Sequence, residues 1–447
     1  MKTSLRVCLA GVLGLILMVV DGFCQPASSV TAFLDVTVIP MDGERAIPNQ
    51  TVIVRGDRIA EIAPASTAKI PEGATRIEAR GKFLMPGLGE MHGHNPPLGS
   101  SQEFIETVYF LFVANGVTTV RSMLGWPGQL ELREKVARGE ILGPTLYLAG
   151  PSFSGASIKS APQAEQRVRE QKAEGWDLLK VHPGLKRDHY DAMARTAKEV
   201  GIRFAGHIPA DVGLKHAIEM GQETVDHLDG YIEYLGATNA PVDRAKLAEA
   251  VKLTRETGTW VIPTMCLWET ILGAADLAKM SAYPELKYMP PDMVAQWKSG
   301  YKRMTESSTF DKARARQVAE NRKVLLKALS DGRAKILFGT DAPQQFSVPG
   351  FSIHREIKAM AEAGMTPAEI LRSATKTVGD YLSGKDRFGT VASGHRADLL
   401  LLDANPLDDA RNVAKRAGVM VRGRWLSEAE IQQRLEKIAE QWGKGNG

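Results

Sequence analysis

Phe83-Leu84-Met85-Pro86-Gly87-Leu88-Gly89-Glu90-Met91-His92-Gly93-His94 couples an apolar run of strand type to a Pro-Gly breaker and then to two histidines spaced two apart. On an extended segment residues i and i+2 project to the same side, so His92 and His94 can grip one metal ion together. A His-x-His pair alone is a weak signal. It gains weight here because the run 83–85 is the first of eight: the others span 117–120, 145–148, 177–181, 202–205, 223–226, 260–263 and 335–338. Segments of helical composition separate most of them, such as 190–200 before Gly201 and 214–220 before Gly221, each ending in the glycine that commonly stops a helix. This alternation predicts an α/β fold with a parallel sheet, and eight is the number that closes a TIM-like (β/α)8 barrel.

The stretch 266–333 is too long for one barrel connection, and its helical composition and Pro290-Pro291 break predict an inserted helical lobe beside the mouth. Upstream, β-type runs at 36–39, 51–54, 59–62 and 75–78 alternate with turn residues and predict a small antiparallel sheet. Arg55-Gly56-Asp57 falls where a hairpin turn is needed and is read as that turn rather than as an adhesion motif. Two further β-type runs, 397–403 and 418–424, lie near the other end. Neither patch has enough strands to stand alone, so the expectation is one small β-sandwich built from both termini. The predicted order is a signal peptide (1–26), the first part of the sandwich (27–84), the barrel with its insertion (85–387), the second part of the sandwich (388–430), and a C-terminal helix and tail (431–447).

The 447 residues are 44% hydrophobic and 24% charged, which excludes disorder and fibre and leaves ample chain for a large core. With 56 basic against 52 acidic residues and a net charge of +4, no footprint for nucleic acid or an anionic membrane appears. The expected partner is a small molecule. Lys2 and Arg6 precede an apolar run over 7–20 that Asp21-Gly22 breaks, the layout of a secretory signal and shorter than the about 20 residues a bilayer span needs. Cleavage between Phe23 and Ala27 is expected, giving an exported protein, periplasmic or secreted, without a stable span. Of three cysteines only Cys266 is sure to remain, so no disulfide is expected and Cys266 reads as a packed thiol.

The chemistry-bearing residues sit at the C-terminal ends of the predicted strands. His207 ends the fifth run, His227 the sixth and Asp341 the eighth. Any one of these histidines alone reads as a hydrogen-bonded core residue. A carboxylate buried at a barrel mouth is costly unless a positive group meets it, which a metal ion would do. Lys180 closes an apolar run where an ammonium is expensive to bury; it either reaches solvent or Asp341, or is neutral or modified and supplies an anionic bridge between two metals.

These motifs, with Gly339-Thr340-Asp341-Ala342 and the closing 394–407 segment, resemble the amidohydrolase superfamily of metal-dependent hydrolases over nearly the whole chain after the signal. Within it the chain is similar to the imidazolonepropionase and metallo-dipeptidase branch. The resemblance implies that His92 and His94 bind the more buried metal, that Lys180 is carboxylated and bridges both metals, and that His207 and His227 bind the second. Asp341 would bind the first metal and move protons. His182, two residues past Lys180, is either a further ligand or a substrate contact.

The resemblance also implies an enzyme that hydrolyses the C–N amide bond of a dipeptide or N-acyl amino acid. Two divalent ions, zinc first and manganese, cobalt or iron by availability, would hold a bridging hydroxide that attacks the carbonyl while Asp341 accepts the proton and passes it to the leaving nitrogen. No organic cofactor is expected. For the substrate carboxylate the candidates are Arg121, Tyr231 and His354, with Arg121 best suited to bidentate pairing, and His182 is the fourth expected substrate contact. Two other readings stay open: a cyclic amide, lactone or phosphoester substrate at the same site, and a non-catalytic metal-binding barrel. Relatives commonly assemble, so a homo-oligomer is also an expectation.

Overall fold

The computed structural model describes residues 30–96 and 98–443; the expected signal segment and the last residues of the tail lie outside them. Among the described residues sixteen strands run in chain order: β1 (Val30–Val38), β2 (Ile47–Arg55), β3 (Arg58–Pro64), β4 (Thr75–Glu78), β5 (Phe83–Pro86), β6 (Leu88–Gly93), β7 (Val117–Ser122), β8 (Thr145–Leu148), β9 (Leu178–Val181), β10 (Arg203–Gly206), β11 (Thr224–Asp226), β12 (Trp260–Ile262), β13 (Lys335–Ile336), β14 (Leu399–Leu402), β15 (Arg416–Val421) and β16 (Arg424–Ser427).

One eight-stranded sheet draws on both ends of the chain, in the order β16-β15-β14-β5-β1-β2-β3, with β4 beside β1. The join is the antiparallel pairing of β14 with β5, Leu399 to Leu402 opposite Pro86 to Phe83. The sheet curls: Phe33 of β1 meets Trp425 of β16 edge to face at 5.2 Å, although three strands lie between them. Phe33, Val36, Val52, Leu84, Leu399 and Met420 share a core of their own.

The other eight strands are parallel and form two sheets, β6-β7-β8 and β13-β12-β11-β10-β9. Parallel bridges from Ala149 to Leu178 and from Phe153 to Val181 connect the β8 and β9 sides. On the other side Met91 N–H donates to Phe338 O (2.8 Å) and Asp341 N–H to His92 O (2.6 Å). Met91, Tyr147, Ile262 and Leu337 from the two sheets pack into one buried cluster. Strands covered on both faces read as continuous apolar runs, and β9, Leu178-Leu179-Lys180-Val181, is wholly buried. The helix Arg187–Val200 ends at Gly201, whose φ of 67° is the left-handed cap that a side chain would strain.

Two sequence expectations are corrected. The run 83–85 is not the first parallel strand: it is β5 of the mixed sheet, and Pro86-Gly87 turns the chain into β6, which carries His92 within it. The run 418–424 is not one strand, because Arg422-Gly423, with φ of 45° and 77°, makes the turn between β15 and β16. The stretch 266–333 is helical as expected, ending in the long helix Lys312–Asp331. Among the described residues no helix is long and apolar enough to cross a membrane.

Candidate metal centre

Lys180 lies within β9, His207 directly after β10, His227 directly after β11, and Asp341 beyond β13, so these residues meet His92 and His94 at one end of the parallel strands. All six line one cavity of about 360 Å³, within the size range of ligand sites. The tightest group is His92, His94 and Asp341, whose ligand atoms all lie within 4.8 Å of one another. Asp341 Oδ1 is 2.5 Å from His94 Nε2 and 3.7 Å from His92 Nε2, and Asp341 Oδ2 is 3.6 Å from His227 Nε2. Lys180 Nζ stands 3.2 Å from His92 Nε2. The His207 ring lies 4.6 Å from that of His227 and 4.9 Å from that of His182. Gly206, between Ala205 and His207, admits no Cβ, which would sit 2.4 Å from Val181 O, so the close approach of β10 to β9 at the site depends on glycine.

Three of the histidines are oriented from behind. His207 Nδ1 meets Asp229 Oδ2 at 2.5 Å, and His227 Nδ1 meets Thr264 Oγ1 at 2.8 Å. His92 Nδ1 stands 2.7 Å from Asp226 Oδ2, an ion-pair distance off the ideal hydrogen-bond line. Metal-binding imidazoles characteristically have their second nitrogen held this way, which leaves the first aimed at the ion. Burial drives the pKa of His92 and His227 well below the ordinary imidazole value, with Lys180 and neighbouring imidazoles (His94 and His207 for His92, His92 and His207 for His227) adding to it, so both stay neutral as ligands must. His227 Nε2 is buried with no protein partner among the described residues, the kind of orphaned lone pair an ion would satisfy. Burial also pushes the Lys180 amine down to about 8 against the pull of Asp226 and Asp341. The donor set therefore fits divalent metal.

Residues that sequence reading did not single out hold this set in place. Glu90 accepts from His92 N–H (3.1 Å) and Thr340 N–H (2.7 Å) through Oε1 and from the Thr340 hydroxyl (2.6 Å) through Oε2, tying β6 to the segment that carries Asp341. Its burial raises its pKa to about 8. Arg322, from the long inserted helix, donates to His227 O (2.5 Å) and Pro263 O (2.9 Å). Glu356 accepts from Met265 and Cys266 N–H (2.9 and 2.8 Å) and fixes the start of the helix Met265–Ile271, which brings Trp268 to the cavity. The one available signal was charge inside apolar runs, as in Glu90 and Asp226. Cys266 is a packed thiol, its pKa raised by burial.

Of the four expected substrate contacts only His182 lines the cavity. Arg121 is 1% exposed and spent internally: it donates to Met91 O (2.6 Å) and the Tyr381 hydroxyl (2.8 Å) and pairs with Asp226 (3.3 Å). Tyr231 is buried with its hydroxyl 2.6 Å from Thr254 Oγ1, and His354 Nε2 meets Asn115 Oδ1 at 3.1 Å. All three side chains turn into packed layers away from the mouth. Asn95, Trp126, Trp268 and Gln344 occupy the wall instead.

Residues 83–426 match the amidohydrolase family. The chain is 25% identical over 383 residues to the imidazolonepropionase of Rubrobacter xylanophilus, spanning 79% of this chain and 84% of that protein. Among solved structures it is similar to a Xaa-Pro dipeptidase with methionine bound in its active site (TM-score 0.68, 21% identity, 89% of this chain and 100% of that one). It is also similar to a bottromycin amidohydrolase (TM-score 0.74, 21% identity, 93% and 91% covered). At these identities the solved structures show likeness of fold.

Proposed function

The chain belongs to the amidohydrolase family and is a hydrolase of carbon–nitrogen bonds, and from that premise we propose that it cleaves the amide bond of a dipeptide or N-acyl amino acid. The observation that carries this reading is the convergence of His92, His94, Lys180, His207, His227 and Asp341 on one cavity at the strand ends. His92, His94 and Asp341 would hold one divalent ion and His207 and His227 a second, with Lys180, carboxylated on its amine, between them; zinc suits the imidazole-rich set. When bound, such ions activate water and polarise the substrate carbonyl. Asp341, within 2.5 Å of His94 and facing the cavity, takes the proton from water and returns it to the leaving nitrogen. Asp226, Asp229 and Thr264 keep the imidazoles aimed throughout. His182 is the remaining substrate contact from the sequence.

We read the two parallel sheets, with their connecting bridges and hydrogen bonds, as one (β/α)8 barrel, and the curled mixed sheet as the small sandwich domain. Export to the periplasm or medium, and assembly into a homo-oligomer, belong to the same proposal. The test measures metal per chain by elemental analysis for the parent and Lys180→Ala, then screens the loaded parent on dipeptides and N-acyl amino acids. About two ions, falling in the variant, with turnover of these amides is expected. One ion in both proteins removes the lysine bridge and favours a mononuclear deaminase or cyclic-amide hydrolase. Turnover confined to lactones or phosphoesters removes the amide substrate.

A further inference from the structure

A second cavity, of about 370 Å³, opens beside the metal cavity and shares Trp268 and Ile271 with it. Both shared residues are half-buried, so the two cavities meet at accessible surface rather than at packed core. The second cavity lies between the short helix Tyr231–Tyr234, the helix Met265–Ile271 and the start of the inserted helix Lys312–Asp331. Ile232, Leu272, Phe310, Ala315 and Val318 complete its apolar wall. Phe310 closes the far end by lying over Gly273, where an added Cβ would come within 2.5 Å of its ring. Of the five charged residues that line this cavity, three are already committed: Asp229 to His207 Nδ1, Arg322 to the carbonyls of His227 and Pro263, and Asp311 to the Arg314 N–H at the helix start. The other two, Glu233 and Arg314, are exposed. An apolar wall with a polar edge is the make-up of a site for an apolar group, and contiguous apolar surface left open to water marks a place where something binds.

The place of this cavity among the ligands decides which half of an amide substrate it faces. It takes in none of His92, His94 and Asp341, but it is lined by Leu228 and Asp229, directly after His227, and Asp229 is the partner of His207. In the proposed reaction Asp341 returns the proton to the leaving nitrogen, so the amine half lies on the Asp341 side and the acyl half extends past His207 and His227. We propose that the second cavity is an acyl subsite seating the distal part of an extended apolar chain, so that of the two substrate types the enzyme prefers N-acyl amino acids, and among these medium-length chains over short ones. The inference rests on the amide-hydrolase reading and deepens it. Each methylene moved from water onto an apolar wall is worth about fourfold in affinity, and binding energy from such a remote group can also be used at the reacting bond.

The test measures kcat/KM of the zinc-loaded full chain on N-acyl-leucines with acyl chains of two, four, six and eight carbons, and on glycyl-leucine. Calorimetric titration with N-alkyl-leucines of the same lengths, in which a methylene replaces the carbonyl so that they cannot be hydrolysed, runs alongside. Both series should climb with length, gaining about 100-fold or more between two and eight carbons, and glycyl-leucine should rank with the two-carbon member. Ala315→Phe and Val318→Phe fill the second cavity from the inserted helix, and neither position lines the metal cavity. Each should cost the eight-carbon member about tenfold more than the two-carbon member in both measurements. Phe310→Ala, at a half-buried position outside the helices, removes the far wall and should act in the same direction without crowding the core. Thermal melts and metal content show which variants are folded and loaded. A series flat in both measurements, glycyl-leucine exceeding the eight-carbon substrate, or a climb that every folded variant leaves intact overturns the acyl subsite. A climb in isostere affinity that the variants flatten, with no turnover of any N-acyl-leucine, supports the subsite and overturns the amide-hydrolase reading instead.

Discussion

Arg121 ends an apolar strand, and a guanidinium at a strand end looks like a clamp for a substrate carboxylate. The fold gives it a different partner, buried Asp226, which in turn stands behind His92. Burial alone would raise the Asp226 pKa, but Arg121 and Lys180 outweigh it and hold the carboxyl below its usual range. Removing one member of a buried pair strands the other charge. Arg121→Met is therefore expected to lose about 3–5 kcal/mol in urea unfolding near neutral pH and to lower metal content, both measurable on the purified protein. A raised KM with stability and metal content intact would restore Arg121 to the substrate pocket. The same contrast separates Asp341, beyond β13, from Glu90, inside β6: Asp341 faces the cavity whereas Glu90 turns inward to three donors on two segments.

At the level of elements, the parallel strands were legible because each is buried on both faces and reads as an apolar run. Seven of the eight runs fall on β7 to β13, with ends shifted by a few residues. The first was misassigned because β5 and β6 are both apolar and only their partners differ: β5 pairs with β1 and β14, β6 with β7. The inserted helices were legible by length and composition, but not what they touch. The helix Lys312–Asp331 sends Arg322 to the carbonyls of His227 and Pro263 and places it over the Trp268 ring at 4.7 Å. Arg322→Met should therefore weaken metal binding about 10–100-fold in competition with a chelator, as loss of a group that holds a ligand residue typically does, with every ligand side chain unchanged. Unchanged affinity would make the contact a packing feature only.

Across the whole molecule, the two ends of the chain close one sheet. β14 covers the edge of β5, and buried Arg396 donates to Asp398 (2.6 Å), Thr119 (2.6 Å) and Asp386 (3.0 Å), joining that sheet to β7 and to the segment after the last helices of the parallel region. A chain truncated before Arg396 would leave β5 unpaired on that side and uncover Leu84, an aggregation-prone edge. It should give no cooperative thermal transition by circular dichroism and should elute as aggregate in size-exclusion chromatography. A soluble monomer with normal metal content would show that the parallel region folds alone.

By itself the sequence determined the α/β class, the identity and order of nearly all strands, and the joining of both end regions in one sheet, and it singled out ligand-competent residue types at the strand ends. Each of these is written locally, in apolar runs, glycine stops, and histidines or acids at strand ends. Only the tertiary structure decided which polar side chains face the cavity. Arg121, Tyr231 and His354 turn into packed layers, while Asn95 and Trp268 reach the cavity wall. The physical reason is that a side chain's direction depends on the twist and register of strands far apart in sequence, and its charge state on what surrounds it once buried; neither quantity is a property of any short stretch of chain.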